Sequence, residues 1–288
     1  MAFHKAIAGK MRAGSTTGPT RSGFGATRGG RARRWSGTMP TAYWRVEGAA
    51  DDATALLDVS SRANGLDGTL AGTIDEDAGN TKTWNTAQVP PGSNQSLYFN
   101  GTNNTVTVAY NAKLKPTSVN KLSISVWFKT TDNIGYFICA EAADGTTGWM
   151  YTGVGLPSAG ADKAAAVYFY SGTNANWRLD VSAPVTVAND DEWHHCVFVY
   201  DESATNSVTV YQDGVEVLGN DSQTGGWSSS SNNNVTIQIG TRTNASVYYK
   251  FYLDEIAYFT DIGLTAAQVK DMYNNGTVLD SRAGIHRS

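Results

Sequence analysis

Alternation of apolar and polar residues with a period of two is the feature that most constrains this chain. In residues 123–129, Ile124, Val126 and Phe128 share one face of an extended segment, and polar residues including Lys129 share the other. Successive side chains of a β-strand point to opposite faces, so this pattern predicts a half-buried antiparallel strand. The same alternation occurs at 106–108, 208–210 and 235–239. The pattern begins near residue 41 and predicts a body made of strands.

Further strands and one hairpin complete this prediction. Strands are predicted at 97–99, 136–141, 149–154, 165–170, 177–182, 194–200 and 250–259. Asp213 and Gly214 separate the strands at 208–212 and 215–218, and they are a favoured central pair of a type I′ turn. Turn-rich stretches recur between short strands, which indicates an all-β, antiparallel two-sheet sandwich rather than a series of βαβ units.

A short helix is predicted near the end of this body. Thr265 is suited to be its N-cap, and Gln268, three residues later, completes a capping box. Leu264 and Val269 are spaced to pack against each other across the cap. Gly276 is predicted to end the helix in the left-handed conformation. The helix is expected to pack on a sheet and not to form a second domain.

The first 38 residues differ sharply in charge from the rest of the chain. The whole chain has a net charge of −4, with 22 basic and 26 acidic residues. All eight charged residues of 1–38 are basic: Lys5, Lys10, Arg12, Arg21, Arg28, Arg31, Arg33 and Arg34. The remaining 14 bases and 26 acids give the body a charge of −12. The sequence therefore joins a cationic, glycine-rich arm to an acidic body.

The arm cannot bury enough apolar surface to fold alone. Ordering it costs about 1–2 kcal/mol per residue, so it is expected to take a fixed position only where a neighbouring molecule supplies contacts. The basic run from Arg28 to Arg34, followed by Trp35, has the character of nucleic-acid-binding tails. Such arms also lie along acidic protein surfaces, and no residue of this arm is suited to read bases. Anchoring to a protein partner is therefore favoured over nucleic acid, and self-association stays open.

Five groups of segments carry motifs that occur in a fixed order: 43–46 with 57–70, 96–101 with 106–108, 122–129, 193–200 with 208–214, and 239–241 with 253–258 and 264–273. The order of these motifs resembles a laminin-G-like jelly roll of the concanavalin A-like lectin/glucanase fold. The resemblance implies a two-sheet jelly roll at 39–280, preceded by an extended arm at 1–38 and followed by a tail at 281–288. It does not by itself fix the function.

The acidic residues do not form the pair that a retaining glycosidase of this fold requires. Such enzymes hold two carboxyl groups about 5–5.5 Å apart. Asp254 and Glu255 are adjacent, so a regular strand would turn them to opposite faces, and the acids of 190–192 form a turn cluster. His194 and His195 lie in a strand motif, where a structural role is predicted. The sequence therefore predicts a protein that is not an enzyme.

The resemblance also implies a structural calcium ion, which some members of the family bind. The positions that match its ligands are Asp58, Asn64, Asp67 and Asp254. Their side-chain oxygens suit a hard cation. The alternative is that Asp58 and Asn64 cap turns through the neighbouring backbone. Both interpretations stay open at this point.

Exposed aromatic rings beside amides are the residues expected of a carbohydrate site, because sugar faces stack on rings while hydroxyls need hydrogen-bond partners. Trp227 lies in the polar stretch 224–234 and is the first candidate. Trp177, with Asn174 and Asn176 beside it, is the second. Three other tryptophans lie in predicted strands and are predicted to be core residues: Trp44, Trp127 and Trp193.

Together these features favour a virion structural protein, such as a capsid decoration or spike protein of a bacteriophage or another virus. In this hypothesis the arm binds the capsid or another virion component, and the jelly roll projects outward and binds host glycans. The arm lacks the apolar centre of a secretory signal, and the chain lacks an apolar run long enough to span a membrane, so synthesis in the host cytoplasm is expected. The alternatives are a free carbohydrate-binding module, a tail-fibre component and a protein bound to nucleic acid through the arm.

Overall fold

The computed structural model describes most of the jelly roll. The described residues are 39–45, 55–60, 65–71, 84–85, 87–117, 121–133, 135–141, 148–154, 165–171, 174–180, 188–204, 208–217, 220–223, 236–242, 248–274, 276 and 278. The arm at 1–38 and the tail at 281–288 lie outside this set, so the domain boundaries given above stay predictions.

Two antiparallel sheets contain the seventeen strands of the described residues. In chain order the strands are β1 (Ala42–Trp44), β2 (Ala55–Leu56), β3 (Gly68–Ala71), β4 (Trp84–Asn85), β5 (Ser96–Asn100), β6 (Thr105–Val108), β7 (Lys121–Thr130), β8 (Gly135–Glu141), β9 (Gly148–Val154), β10 (Ala165–Ser171), β11 (Asn174–Asp180), β12 (His194–Asp201), β13 (Val208–Gln212), β14 (Val215–Val217), β15 (Asn220–Gln223), β16 (Thr236–Ile239) and β17 (Lys250–Thr260). One sheet has the order β14-β13-β12-β7-β17-β5-β4, with β1 also paired to β17. The other has the order β15-β11-β10-β9-β8-β16-β6-β3-β2. The predicted all-β sandwich is confirmed.

The main core fills the space between the sheets. Ile124, Val126 and Phe128 of β7 are almost fully buried there, as their alternation predicts. The ring of Phe128 lies 4.6 Å from the ring of Phe137, which belongs to the opposite sheet. Trp44 is fully buried, as predicted, and its indole N–H donates a 2.7 Å hydrogen bond to the carbonyl of Leu66. Large apolar contacts therefore join the two sheets.

A second, smaller core lies on the outer face of the eight-stranded sheet, the face turned away from the main core. The helix α1 (Ala266–Tyr273) covers part of this face and buries Val269 completely. Leu264 belongs to the same cluster as Val269, and both pack with residues of β12 and β17. The helix thus lies on one sheet, as the sequence indicates.

The start of α1 is predicted correctly, but its end is not. Thr265 is the N-cap, and the capping box with Gln268 is present. The helix ends at Asn274, whose φ of 45° is left-handed, while Gly276 adopts its own positive φ two residues later. An Asn side chain tolerates the left-handed region, so the helix does not need the glycine to end.

Two differences from the predicted strands occur at one edge of the nine-stranded sheet. β11 runs over Asn174–Asp180, three residues earlier than predicted at its start, and it pairs with the unpredicted strand β15. β15 has the sequence NDSQ, which carries no apolar alternation. The predicted hairpin is present: Asp213 and Gly214 have φ of 52° and 76°, the left-handed values of a type I′ turn.

Cys139 and Cys196 are both buried, and neither forms a disulfide bond. Across the described residues, the structure contains no helix with the length and apolar character needed to cross a membrane.

Candidate functional site

The outer face of the eight-stranded sheet is covered only in part within the described residues. Tyr273 of α1 stacks on Trp127 of β7, with 6.0 Å between the ring centroids. Beyond the helix, the backbone N–H of Val278 donates to the carbonyl of Pro91 at 2.8 Å. Trp127 is consequently buried, although it lies on the outer face and not in the main core.

Beyond this cover, four side chains form a transverse row, which we call the aromatic row: Tyr98, Tyr252, Lys129 and Trp193. Strand register places Tyr252 of β17 beside Tyr98 of β5 on one side and beside Lys129 of β7 on the other. His194 pairs with Phe128, so the preceding Trp193 comes opposite Lys129. Neighbouring strands lie about 4.8 Å apart, so a row across four strands extends about 14 Å.

The rings of the aromatic row contact one another and remain partly exposed. Tyr98 and Tyr252 have centroids 4.8 Å apart with planes inclined by 32°. The ring of Trp193 lies 6.3 Å from Tyr252. The ammonium group of Lys250 lies 6.0 Å from the centre of the Tyr98 ring. The row is therefore a continuous aromatic surface with a cation beside it.

A cleft of about 260 Å³ lies beside the aromatic row, and Lys129 and Tyr252 are the members of the row that line it. It is lined by Gln88, Lys129, Thr130, Thr131, Asp191, Lys250, Phe251 and Tyr252. On its rim the Lys129 ammonium lies 3.3 Å from the Asp191 carboxylate, whose side chain is 62% exposed. The cleft combines aromatic rings with amide, hydroxyl, ammonium and carboxylate groups, which can stack on and hydrogen-bond a polar ligand.

The prediction that Trp193 is a core residue is wrong. Trp193 precedes the first residue of β12 and is partly exposed on the outer face. Sequence reasoning also missed Tyr98 and Tyr252 as site residues. Each lies between two buried apolar residues of a strand, so its aromatic ring occupies a polar-face position. An aromatic residue at such a position is the signal that could have identified them.

His194 lies between two carboxylates, one of them in the turn that also carries the cleft residue Asp191. Its Nδ1 is 2.7 Å from an Asp213 oxygen, and its Nε2 is 3.0 Å from an Asp190 oxygen. Burial disfavours the charged ring, but the hydrogen bonds and charges of Asp213 and Asp190 outweigh it, so the pKa of His194 is raised above its ordinary 6.5. His194 therefore joins the turn before β12 to the β13–β14 hairpin.

His195 is a buried structural residue. Its Nε2 lies 2.8 Å from the hydroxyl oxygen of Ser125, and its ring packs 5.2 Å from Trp127 and 6.1 Å from Tyr273. Burial lowers the pKa of His195 to about 4, so the ring is neutral near pH 7. Because it is almost fully buried, it is enclosed between sheet and helix and cannot reach a ligand in the cleft.

The predicted carbohydrate-site residues are placed only in part. Trp227 lies outside the described residues. Asn174, Asn176 and Trp177 lie on β11, second from the edge of the nine-stranded sheet, and Trp177 lies in a strand as predicted. Trp177 pairs with Gln223, the last residue of β15. The aromatic row belongs to the other sheet.

The predicted calcium ligands do not make up a complete site in the described residues. One oxygen of Asp58 accepts the backbone N–H groups of Tyr43 and Ser60 at 3.0 and 2.9 Å, and its own N–H donates to Asp67 at 2.7 Å. The other oxygen of Asp58 is buried without a hydrogen-bond partner, and burial raises the pKa of this group. Among the described residues, no three His, Cys, Asp or Glu side chains are grouped to hold a metal ion. Asn64 lies outside them, so calcium binding stays a prediction.

The acids of the closing strand lie in a β-bulge. The pairing of β17 with β7 shifts between Asp254 and Ala257, and Glu255 has a left-handed φ of 50°. The regular alternation assumed from the sequence is therefore interrupted here. Both acids are buried; one oxygen of Asp254 accepts the N–H of Glu255, and Glu255 lies 2.9 Å from the guanidinium of Arg45. These contacts make the pair part of the fold rather than of the cleft.

Residues 99–270, more than half of the chain, match the laminin-G-type family described as the concanavalin A-like lectin/glucanases superfamily. The chain belongs to this family, and its β-sandwich is a lectin-like jelly roll. No curated protein matches the chain.

Solved structures share this fold at low sequence identity. The binding domain of Paraclostridial Mosquitocidal Protein 1 is 13% identical with a TM-score of 0.55, over 82% of this chain and 52% of that one. The receptor-binding domain of a botulinum neurotoxin C/D mosaic is 11% identical with a TM-score of 0.52, over 82% and 51%. Trypanosoma rangeli sialidase in complex with sialic acid is 11% identical with a TM-score of 0.51, over 81% and 32%. The chain therefore spans about half the length of the toxin domains, and these likenesses describe the fold alone.

Proposed function

We propose that this protein is a non-enzymatic carbohydrate-binding domain whose ligand lies along the aromatic row. The observation that carries the proposal is the set of contacting, partly exposed rings of Tyr98, Tyr252 and Trp193 on a sheet face that helix α1 covers in part. A contiguous aromatic surface that keeps part of its area in water marks a place where a ligand or partner can bind.

The chemistry of the cleft suits a saccharide. The C–H-rich faces of sugar rings pack on aromatic faces, and sugar hydroxyls need donors and acceptors close to those faces. Gln88, Thr131, Lys129 and Asp191 supply amide, hydroxyl, ammonium and carboxylate groups along the cleft. The row extends about 14 Å, which favours an extended oligosaccharide over a single sugar unit.

The acids near the cleft support binding without hydrolysis. Asp191 lies on the cleft rim and is paired with Lys129, while Asp190 is engaged by His194. Hydrolysis with retention requires two carboxyl groups facing each other across a bond about 5–5.5 Å apart. Among the described residues that line the cleft, Asp191 is the one acid.

The relatives lend the proposal general support. The family includes lectins by its description. Carbohydrate recognition is therefore a function that this fold hosts in other proteins, and for this chain it depends on its own aromatic row.

A glycan array tests the proposal directly. The full chain should bind a restricted set of oligosaccharides, and Tyr252→Ala should lower binding roughly tenfold, because a ring face worth about 1–1.5 kcal/mol is lost. Tyr110→Ala is the matched control, since Tyr110 is an exposed tyrosine outside the cleft. Equal loss in both variants, or an array without binding, would contradict the proposal.

A more specific proposal is that the protein is displayed on a virus particle, to which the arm at 1–38 attaches it. Its support is the contrast in charge between the basic residues 1–38 and the acidic body. Basic arms of this kind bind acidic partner surfaces, here a capsid or another virion protein. Deletion of residues 1–38 should release the protein from its particle and leave the jelly roll folded by circular dichroism. Normal incorporation of the truncated protein would rule the anchoring out.

A further inference from the structure

The turn at 188–193 links His194 to the cleft. His194 is 12% exposed and bridges Asp190 of this turn to Asp213 of the β13–β14 hairpin. Asp213 is itself fixed, because its second oxygen accepts the backbone N–H of His195 at 3.0 Å and its own N–H donates to the His195 carbonyl at 2.8 Å. The hairpin is thus the anchored end of the bridge.

The other end of the bridge lies in the turn that also carries Asp191, which lines the cleft, and Trp193, which belongs to the aromatic row. The carboxylate of Asp190 that contacts His194 also accepts the N–H of Glu192 at 3.0 Å, which shapes the turn. Between them, Asp191 has a left-handed φ of 67°, donates its N–H to Thr130 at 3.2 Å and pairs with Lys129 on the rim. Trp193 follows directly and completes the aromatic row.

Both contacts of His194 require a doubly protonated ring. An ionised carboxylate only accepts hydrogen bonds, and a neutral imidazole has a single N–H to donate. With a neutral ring, one of the two short contacts would therefore have no proton between nitrogen and oxygen. From β13, the Gln212 amide nitrogen lies 3.4 Å from Nδ1, and from β7 the Phe128 ring lies 5.9 Å away; neither is charged. The other charged side chains described at this end of β7 and in the 188–193 turn are Lys129, Asp191 and Glu192. His195, which follows His194 in the chain, is neutral near pH 7.

We propose that His194 is a positioning residue for the cleft: its charged ring joins Asp190 to Asp213 and thereby holds Asp191 at the cleft rim and Trp193 in the aromatic row. We call these two hydrogen bonds of His194, to Asp190 and to Asp213, the tie. Both are present below about pH 6.5, and one is lost as the pH rises and the ring loses a proton. Ligand affinity should then decline at alkaline pH, a consequence that rests on the proposed function. The raised pKa of His194 supports the tie, since its two carboxylates stabilise the charged form.

Nuclear magnetic resonance of the full chain, labelled with ¹³C-histidine and ¹⁵N, tests the tie without a ligand. The ring of His194 should titrate above pH 6.5, and the amide signals of Asp191 and Trp193 should shift with the same midpoint. Asp190→Asn removes one carboxylate and should lower that midpoint by about half a pH unit or more. His195, buried and bound to Ser125, is the internal control that should not titrate between pH 6 and 9. The proposal would be overturned if His194 titrates at or below pH 6.5. It would also be overturned if the amide signals of Asp191 and Trp193 do not shift with the His194 midpoint.

A pH series with the saccharide that the array selects then separates the two proposals. Affinity should fall about three- to tenfold from pH 6 to pH 9, and this fall should shift to lower pH in Asp190→Asn. If the Asp191 and Trp193 amide signals titrate with His194 but no saccharide binds, the proposed function is overturned and the tie is supported. If a saccharide binds but these amide signals do not titrate, the tie is overturned and the proposed function is supported.

Discussion

The rings of Tyr98 and Tyr252 lie 4.8 Å apart at paired positions of β5 and β17. Their strand neighbours Leu97, Phe99, Phe251 and Leu253 are buried in the main core. The two tyrosines therefore project from strands whose other face is fixed by core packing. A ligand that stacks on this pair meets a surface whose geometry is already set before binding.

The Tyr98 ring, rather than its hydroxyl group, should contribute most of its effect on saccharide binding. We expect Tyr98→Phe to keep affinity within about twofold, and Tyr98→Ala to lower it roughly tenfold, because the alanine variant loses the stacking face. Isothermal titration calorimetry with the array-selected saccharide measures both. A phenylalanine variant as weak as the alanine variant would show that the hydroxyl group is the binding element.

His195 should make the fold sensitive to acid. The pKa of His195 is lowered to about 4 by burial, so the unfolded chain takes up a proton at this ring below pH 6.5 while the folded protein does not. The stability that results is present above pH 6.5 and is lost as the pH falls towards 4, by roughly 3 kcal/mol. Urea unfolding at several pH values should show this loss, and His195→Gln should lack most of it. An equal loss in both proteins would assign the acid sensitivity to other groups.

Gly240 should tolerate no side chain. It has a φ of +92°, and a Cβ there would collide with the ring of the buried residue Phe99. Gly240→Ala should therefore lower the free energy of unfolding by about 3 kcal/mol or more, through backbone strain and overpacking. Gly65→Ala is the matched control: its φ of +66° is also left-handed, but no atom lies within 4 Å of the added carbon. It should cost only about 1–2 kcal/mol. Chemical denaturation of both variants tests the difference, and equal losses would contradict it.

The N-cap of α1 should stabilise this helix, which covers part of the outer face of the eight-stranded sheet. Thr265→Ala removes the side-chain acceptor for the Gln268 N–H and should lower the free energy of unfolding by about 1 kcal/mol. Thr265→Ser keeps that oxygen and should cost much less. Thermal unfolding of the two variants checks this. An alanine variant as stable as the serine variant would show that the cap does not stabilise the protein.

The strands and their faces could be predicted from the sequence wherever alternation is regular. The segment around Ile124, Val126 and Phe128, the Asp213–Gly214 hairpin and the Thr265 cap each carry a local signal that the structure confirms. β15 could not be predicted, because its polar sequence is stabilised by pairing with β11 rather than by its own pattern. Asp254 and Glu255 were assigned opposite faces, but a bulge breaks the alternation there.

The candidate site was less accessible to sequence reasoning, because it arises from register across four strands. Tyr98, Tyr252, Lys129 and Trp193 are far apart in the chain and become neighbours only when β5, β17, β7 and β12 pair. A single sequence indicates which face each residue occupies but not which residues share a row. Trp193 was assigned to the core because its strand motif suggested a strand interior, whereas β12 begins one residue later.

The indole N–H signals of ¹⁵N-tryptophan-labelled protein, recorded with and without the array-selected saccharide, test the central claim most directly. The Trp193 signal, assigned with Trp193→Phe, should shift on saccharide addition, and the signals of the buried residues Trp44 and Trp127 should stay in place. A shift of Trp177 or Trp227 with an unchanged Trp193 would place the saccharide elsewhere and contradict the assignment of the aromatic row.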